Sequence, residues 1–233
     1  RYVPHGAAFV HIEDRGYQFA DGVYEVCAIR AGRFLDEDAH WRRLKRSLGE
    51  LSIENPISDA ALRLVARELV RRNRLKDALL YLQITRGVAP RDHTVPAHAR
   101  PSLVMTVKSI DPVAAEERAQ VGVAVKSFPD LRWKRCDIKS VALLPNVLAK
   151  QAAKAAGAFE AWLVDEAGFV TEGSSSNVWI VTPGRRLVTR QLDAAILAGV
   201  TRQTVLALAA EQRIAFEERP FTVAEAKGAH EAF

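Results

Sequence analysis

Cysteine is nearly absent from this chain. Only Cys27 and Cys136 occur among 233 residues, and neither has a second cysteine at CxxC spacing. A disulfide framework is therefore not expected, and a reducing cytoplasm is the simpler setting. Long apolar runs are missing too. No window approaches the roughly 18 uncharged apolar residues of a membrane span. Residues 1–10 do not join a charged stretch to an apolar one, so no signal peptide is expected. Neither GxGxxG nor a P-loop is present, which excludes nucleotide binding through those devices. The six histidines lack any ligand spacing such as HExxH, so no metal site is expected. There is no internal repeat and no low-complexity tract.

What is there is ordinary for a globular protein: 48% hydrophobic and 26% charged residues, in a length that suits one large domain or two modest ones. The net charge of +5 comes from 33 basic and 28 acidic residues. Its densest basic run is Arg63, Arg67, Arg71, Arg72, Arg74 and Lys76. Apolar helical positions dilute that run and no aromatics interleave it. It reads as a solvated helix face, so nucleic acid is not expected as a partner, and neither is a membrane. A basic field that draws in acidic small molecules is compatible with it.

The first half of the chain alternates strands and helices. Residues 7–13 and 22–30 read as strands, and residues 33–35 as a short third after the Ala31-Gly32 turn. Asp36 or Asp38 caps a helix through Leu48. Ser58 caps another through Leu75, with Leu62, Val65, Leu69 and Arg72 along one face. Residues 79–85 and 102–108 are β-rich. Between them lies a polar loop, residues 86–100, punctuated by Gly87, Pro90 and Pro96; a loop that long is usually functional. Asp111-Pro112 and residues 114–118 read as a linker. Beyond it, residues 121–126, 161–165 and 177–182 read as strands. Pro145 opens a helix that Gly157 ends, and residues 199–211 form another helix. The pattern is α/β (α+β): a small N-terminal domain over 1–112, a linker over 113–118 and a larger C-terminal domain over 119–233, with a cleft between them that suits a cofactor.

Four features could carry chemistry. Lys139, in CDIKS, is by position an ordinary surface lysine; the functional alternative is a Schiff-base lysine, which needs a dry site or a nearby cation. Glu172, in VTEGSSSN, looks like part of a turn whose serine hydroxyls bond the backbone. A rigidly held carboxylate there could also partner a pyridine nitrogen. Gly199-Val200-Thr201 opens a helix, and the N–H groups of such an end attract anions. Arg43 follows His40 at HxxRL spacing, which alone says little.

Taken together, these stretches are specific. RGYQFADGVYEV (15–26), HWRRLKRS (40–47), YLQITRGVAPRDH (81–93), RWKRCDIKSVALLPNVLAKQ (132–151), VTEGSSSNVWIV (170–181) and ILAGVTR (196–202) follow one another along nearly the whole chain. In this the chain resembles the class IV (fold type IV) pyridoxal-phosphate aminotransferases, and among them the bacterial D-amino acid aminotransferases. The resemblance implies a two-domain fold with pyridoxal 5'-phosphate in the interdomain cleft. It also implies amino transfer from a D-amino acid to a 2-oxo acid, and a homodimer.

Residue by residue, Lys139 matches the lysine that carries the cofactor as a Schiff base and moves the proton. Glu172 matches the partner of the pyridine nitrogen. Arg43 and the N–H groups of Val200 and Thr201 match the phosphate cup, and Leu197 the side chain packed on the ring. Tyr24, Arg91 and His93 match the trap for the substrate carboxylate, the last two serving the neighbouring subunit. The Arg91-Asp92-His93 element separates this pattern from branched-chain aminotransferases and aminodeoxychorismate lyases. Ala28 departs from the lysine often found at its place. The resemblance further implies a short strand ahead of Arg1 and some tens of residues after Phe233 that bring a Thr/Ser-rich turn to the phosphate, so the C-terminal part is expected to be missing. Alternatives that stay open are a branched-chain or (R)-amine aminotransferase of the same fold and a truncated, non-catalytic binding form.

Overall fold

The computed structural model describes residues 1–233 and divides them into two compact units. Unit 1 comprises residues 1–116 together with the short stretch 138–142; unit 2 comprises 117–137 and 143–233.

Unit 1 is built on a four-stranded antiparallel sheet in the order β2-β1-β3-β4: β1 (Gly22–Arg30), β2 (Arg33–Phe34), β3 (Ala78–Thr85) and β4 (Ser102–Ser109). A short helix, α1 (Arg15–Phe19), precedes β1, and α2 (Glu37–Glu50) and α3 (Asp59–Asn73) lie between β2 and β3. Strand alternation sends Val23, Cys27 and Ile29 of β1 and Leu80, Leu82 and Ile84 of β3 to one face. There they pack against Trp41, Leu44 and Leu48 of α2 and Leu62, Ala66 and Val70 of α3. Each large aliphatic buried this way contributes about 1.5–3 kcal/mol. Ile138 completes this core from far along the chain.

Unit 2 holds two smaller sheets. One has the order β5-β6-β7, with β5 (Val125–Pro129) parallel to β6 (Glu160–Val164) and β6 antiparallel to β7 (Val170–Gly173). The other has the order β10-β9-β8-β11: β8 (Trp179–Val181), β9 (Leu187–Thr189), β10 (Phe216–Glu218) and β11 (Glu231–Ala232). The parallel β5–β6 pair needs a crossover, and α5 (Leu144–Ala155) lies in it. Helices α6 (Val200–Glu211) and α7 (Val223–Lys227) flank β10 in sequence. No helix is long and apolar enough to cross a membrane.

Several sequence expectations need correction. Residues 7–13 form no strand; a 3-10 turn, His5–Ala7, is followed by irregular chain and a turn at 12–13. The buried face of α3 is Leu62-Ala66-Val70, with Leu69 packed against the same core as expected; Arg72 is exposed, and Ala66 is small enough to be passed over as a marker. The stretch read as a linker is a helix, α4 (Pro112–Val121), with no buried residue. Asp111 Oδ1 caps it by accepting from Val113 N (2.9 Å) and Ala114 N (3.4 Å). The strand placed at 121–126 begins at Val125. Gly157, with φ +76°, follows the C-cap of α5, and Gly199 is the N-cap of α6, as the sequence suggested.

Candidate active site

Lys139 stands in unit 1. Its neighbour Ile138 is buried in the core, and Ser140 bridges Val23 antiparallel. Tyr24 N–H donates to the Lys139 carbonyl (3.0 Å), and Val141 N–H to the Gly22 carbonyl (3.0 Å). Lys139 N–H donates to Ser47 Oγ on α2 (3.2 Å). Strand β2 pairs only with the far end of β1, so this short stretch completes the near end. The lysine backbone is thus locked on three sides. Its Nζ lies 4.3 Å from the centroid of the Tyr24 ring, and that ring stacks on Tyr81 at 5.8 Å.

Arg43 comes from α2 and meets Glu25 of β1. Its Nε and Nη2 donate to the two Glu25 oxygens at 2.7 Å each, a fork-to-carboxylate pair, and His40 Nδ1 lies 2.8 Å from Oε2. Glu25 is fully buried. Burial alone would raise its pKa, but the bonds from Arg43 and His40 outweigh that and hold the carboxyl below its ordinary range. A buried glutamate on the inward face of a strand thereby fixes the direction of the arginine.

Arg91 and His93 lie on the loop between β3 and β4 and are exposed. Both pack on Phe19 of α1: the Arg91 guanidinium is 4.6 Å from the ring centroid and the His93 ring 5.3 Å. Arg15 also lies over that ring, at 4.7 Å, and its Nη1 donates to the Asp92 carbonyl (2.6 Å). Asp21 joins Arg15 to Arg86 at the start of the loop. Gly87 is required there: its φ is +96°, and a Cβ would lie 1.8 Å from the Arg100 carbonyl oxygen. Tyr24, expected to hold the substrate carboxylate, stacks on Tyr81 of the same sheet.

Unit 2 contributes Glu172, buried in β7 rather than in a turn. Oε1 accepts from Arg132 Nη1; Oε2 accepts from Asn177 Nδ2 (3.0 Å) and from Leu197 N (3.1 Å). Asn177 Nδ2 also reaches the Leu197 carbonyl (3.0 Å), which ties the carboxylate to the turn ahead of α6. That helix begins at Gly199 with no side-chain cap; Val200 is buried and Thr201 exposed. A Cβ on Gly199 would fall 2.1 Å from Asn177 Oδ1, so the approach of Asn177 demands glycine. The sequence suggested that the serine hydroxyls here bond the backbone, but those of Ser174 and Ser175 do not. Both donate to the Glu160 carboxylate.

Sequence reasoning thus brought forward Lys139, Arg43, Glu172 and the start of α6 but passed over Glu25, Phe19, Arg132 and Asn177. All four lay inside stretches already singled out, without a role. Neither cysteine is a ready nucleophile: burial pushes the Cys27 thiol up to about 12 and the Cys136 thiol up to about 11.

Within unit 2, a rigid carboxylate beside a leucine and a helix start without a side-chain cap suit a phosphorylated pyridine ring, and Lys139 of unit 1 has the chemistry to hold an aldehyde. The family described as amino-transferase class IV matches over residues 22–233. A D-alanine aminotransferase of Bacillus licheniformis is 44% identical over 224 residues, 96% of this chain and 78% of that protein. A D-alanine aminotransferase of Listeria monocytogenes is 40% identical over 227 residues, 97% and 78%. The crystal structure of a branched-chain aminotransferase of Thermoproteus uzoniensis with norvaline superposes with a TM-score of 0.86 at 26% identity, covering 100% of this chain and 80% of that one.

Proposed function

The chain belongs to the class IV aminotransferases, and we propose that it moves the amino group of a D-amino acid to a 2-oxo acid with pyridoxal 5'-phosphate as cofactor. One observation carries the substrate class: the 44% identity with a D-alanine aminotransferase extends over 96% of the chain. When bound, the cofactor supplies an aldehyde that accepts the amino group and a ring that accepts electrons from the substrate α-carbon.

The residues divide the remaining work. Lys139 Nζ would hold the cofactor covalently and, as a free amine, would take up and return the proton of the substrate α-carbon. Its locked backbone leaves only the side chain to move, which suits a shuttle between two nearby atoms. Glu172 holds the proton on the ring nitrogen. Arg43 and the N–H groups of Val200 and Thr201 bind the phosphate, and Leu197 packs on the ring. Tyr24, Arg91 and His93 hold the substrate carboxylate. The amino group leaves one substrate as that substrate becomes a 2-oxo acid, and a second 2-oxo acid takes it up.

We propose further that the working form is a cytoplasmic homodimer, with Arg91 and His93 serving the partner's site. The exposure of both residues supports this, as do the exposed Phe9, Ile12, Tyr17 and Val88 of the same unit. The two free cysteines suit a reducing compartment.

The test is a visible spectrum of the purified, cofactor-loaded protein before and after D-alanine and L-leucine. D-alanine should shift the band and yield pyruvate, while L-leucine leaves it in place. A response to L-leucine alone overturns the D-amino acid reading in favour of a branched-chain enzyme.

A further inference from the structure

Arg132 opens one of the stretches that characterise this chain, yet nothing so far gives it work. Its guanidinium is almost wholly enclosed, with 5% of the side chain exposed. Nε donates to Asp130 Oδ1 (2.9 Å) and Nη2 to Asp130 Oδ2 (2.7 Å). Nη2 also reaches the Ala195 carbonyl (2.9 Å), and Nη1 donates to Glu172 Oε1. Thr171 Oγ1 donates to Asp130 Oδ2 (2.7 Å), which holds the far side of the pair. We propose that Arg132 is a positioning residue for Glu172, and that Asp130 offsets the Arg132 charge so that the cluster keeps one net negative charge for the cofactor ring nitrogen.

Two physical arguments support this, both resting on the role proposed above for Glu172. The first is orientation. Arg132 fixes Oε1 while Asn177 and Leu197 fix Oε2, so the carboxylate plane cannot turn. Arg132 itself cannot swing, because Asp130 grips its opposite edge in two bonds. The second is charge. An arginine paired with Glu172 alone would form a neutral couple, with little left to hold a proton on a facing nitrogen. Asp130 adds a second carboxylate, and the three charges sum to −1. Burial would raise the Asp130 pKa, but the bonds from Arg132 hold it below its ordinary range, so the charge is present. A plain structural ion pair would need neither the second carboxylate nor the bond from Thr171.

The experiment uses the full chain reconstituted with pyridoxal 5'-phosphate labelled with 15N in the ring. The nitrogen shift is followed against pH by NMR, and cofactor affinity is measured alongside. In Glu172→Gln the nitrogen should lose its proton. In Asp130→Asn the cluster becomes neutral, and the titration midpoint should fall by about one pH unit. An unmoved midpoint in Asp130→Asn, with a clear effect in Glu172→Gln, overturns this inference alone. No effect in Glu172→Gln overturns the role of Glu172 and this inference with it. Should Asp130→Asn not fold, the double variant Asp130→Asn/Arg132→Met decides. Its charge is again −1, so the midpoint should stay near that of the unaltered protein while cofactor affinity falls about tenfold through loss of the clamp. A fallen midpoint or unchanged affinity in the double variant overturns the proposal.

Discussion

Glu25→Gln should destabilise unit 1 more than any other single polar substitution at the site. Glu25 is fully buried and the Arg43 side chain is 9% exposed. The glutamine keeps the shape but removes the charge, and it turns an amide N–H₂ toward guanidinium donors. Arg43 then loses the carboxylate that faces it across two bonds, a loss of about 3–5 kcal/mol. For a chain of this size that lowers the melting temperature by roughly 6–20 °C. Urea unfolding of the cofactor-free protein, followed by tryptophan fluorescence, measures it. Arg43→Met in the Glu25→Gln background removes the arginine charge as well, so the double variant should be more stable than Glu25→Gln alone by more than about 1 kcal/mol. The sign of the pH dependence follows from the lowered Glu25 pKa. Its stabilisation is complete above the ordinary glutamate value and is lost as pH falls through the lower folded value. The advantage of the unaltered protein over Glu25→Gln should therefore shrink only in acid. A cost below about 1 kcal/mol, or a double variant less stable than the single, would refute the reasoning.

Lys139→Ala should abolish turnover while the urea midpoint of the cofactor-free protein stays within error, since the backbone bonds of residue 139 survive; near-normal turnover would remove the lysine from the mechanism. Arg91→Ala should lower kcat/KM for D-alanine by about tenfold to several hundredfold and spare an amine without a carboxylate. Equal losses on both substrates would make the loop merely structural. In Gly199→Ala the new methyl displaces Asn177, so cofactor affinity should drop at least about tenfold with folding retained, and unchanged affinity on calorimetric titration would mean that Asn177 does not hold the helix start.

Local chemistry made much of this legible. Strand β1 matched its expected bounds, residues 22–30, because turns flank a run of alternating burial. Ser58 capped α3 as its type demands, by accepting from Ala61 N. Helix α4 was missed for the opposite reason: with no buried face it has no apolar period to read, although Asp111-Pro112 is a helix start. Residues 7–13 had the composition of a strand but form irregular chain and a turn. The supporting shell of the site was the least legible part. Arg132 lies 40 positions from Glu172, and Glu25 lies 18 from Arg43. A charged residue on the inward face of a strand looks like a flaw in the pattern until its partners are known. Pairings across such distances leave no periodic trace.

The placement of residues 138–142 in unit 1 bears on how the protein is made. When residue 116 has left the ribosome, the sheet β2-β1-β3-β4 is all present, but Ile138 is not, and the near end of β1 still bears unpaired backbone groups. At roughly 5–20 residues per second, closure of that edge waits a few seconds more, until residue 142 emerges. For that interval the nascent unit has an open strand edge and a gap in its core, the state most prone to pair with a neighbouring chain. The segment around Lys139 is thus also the latch that ends this vulnerable period.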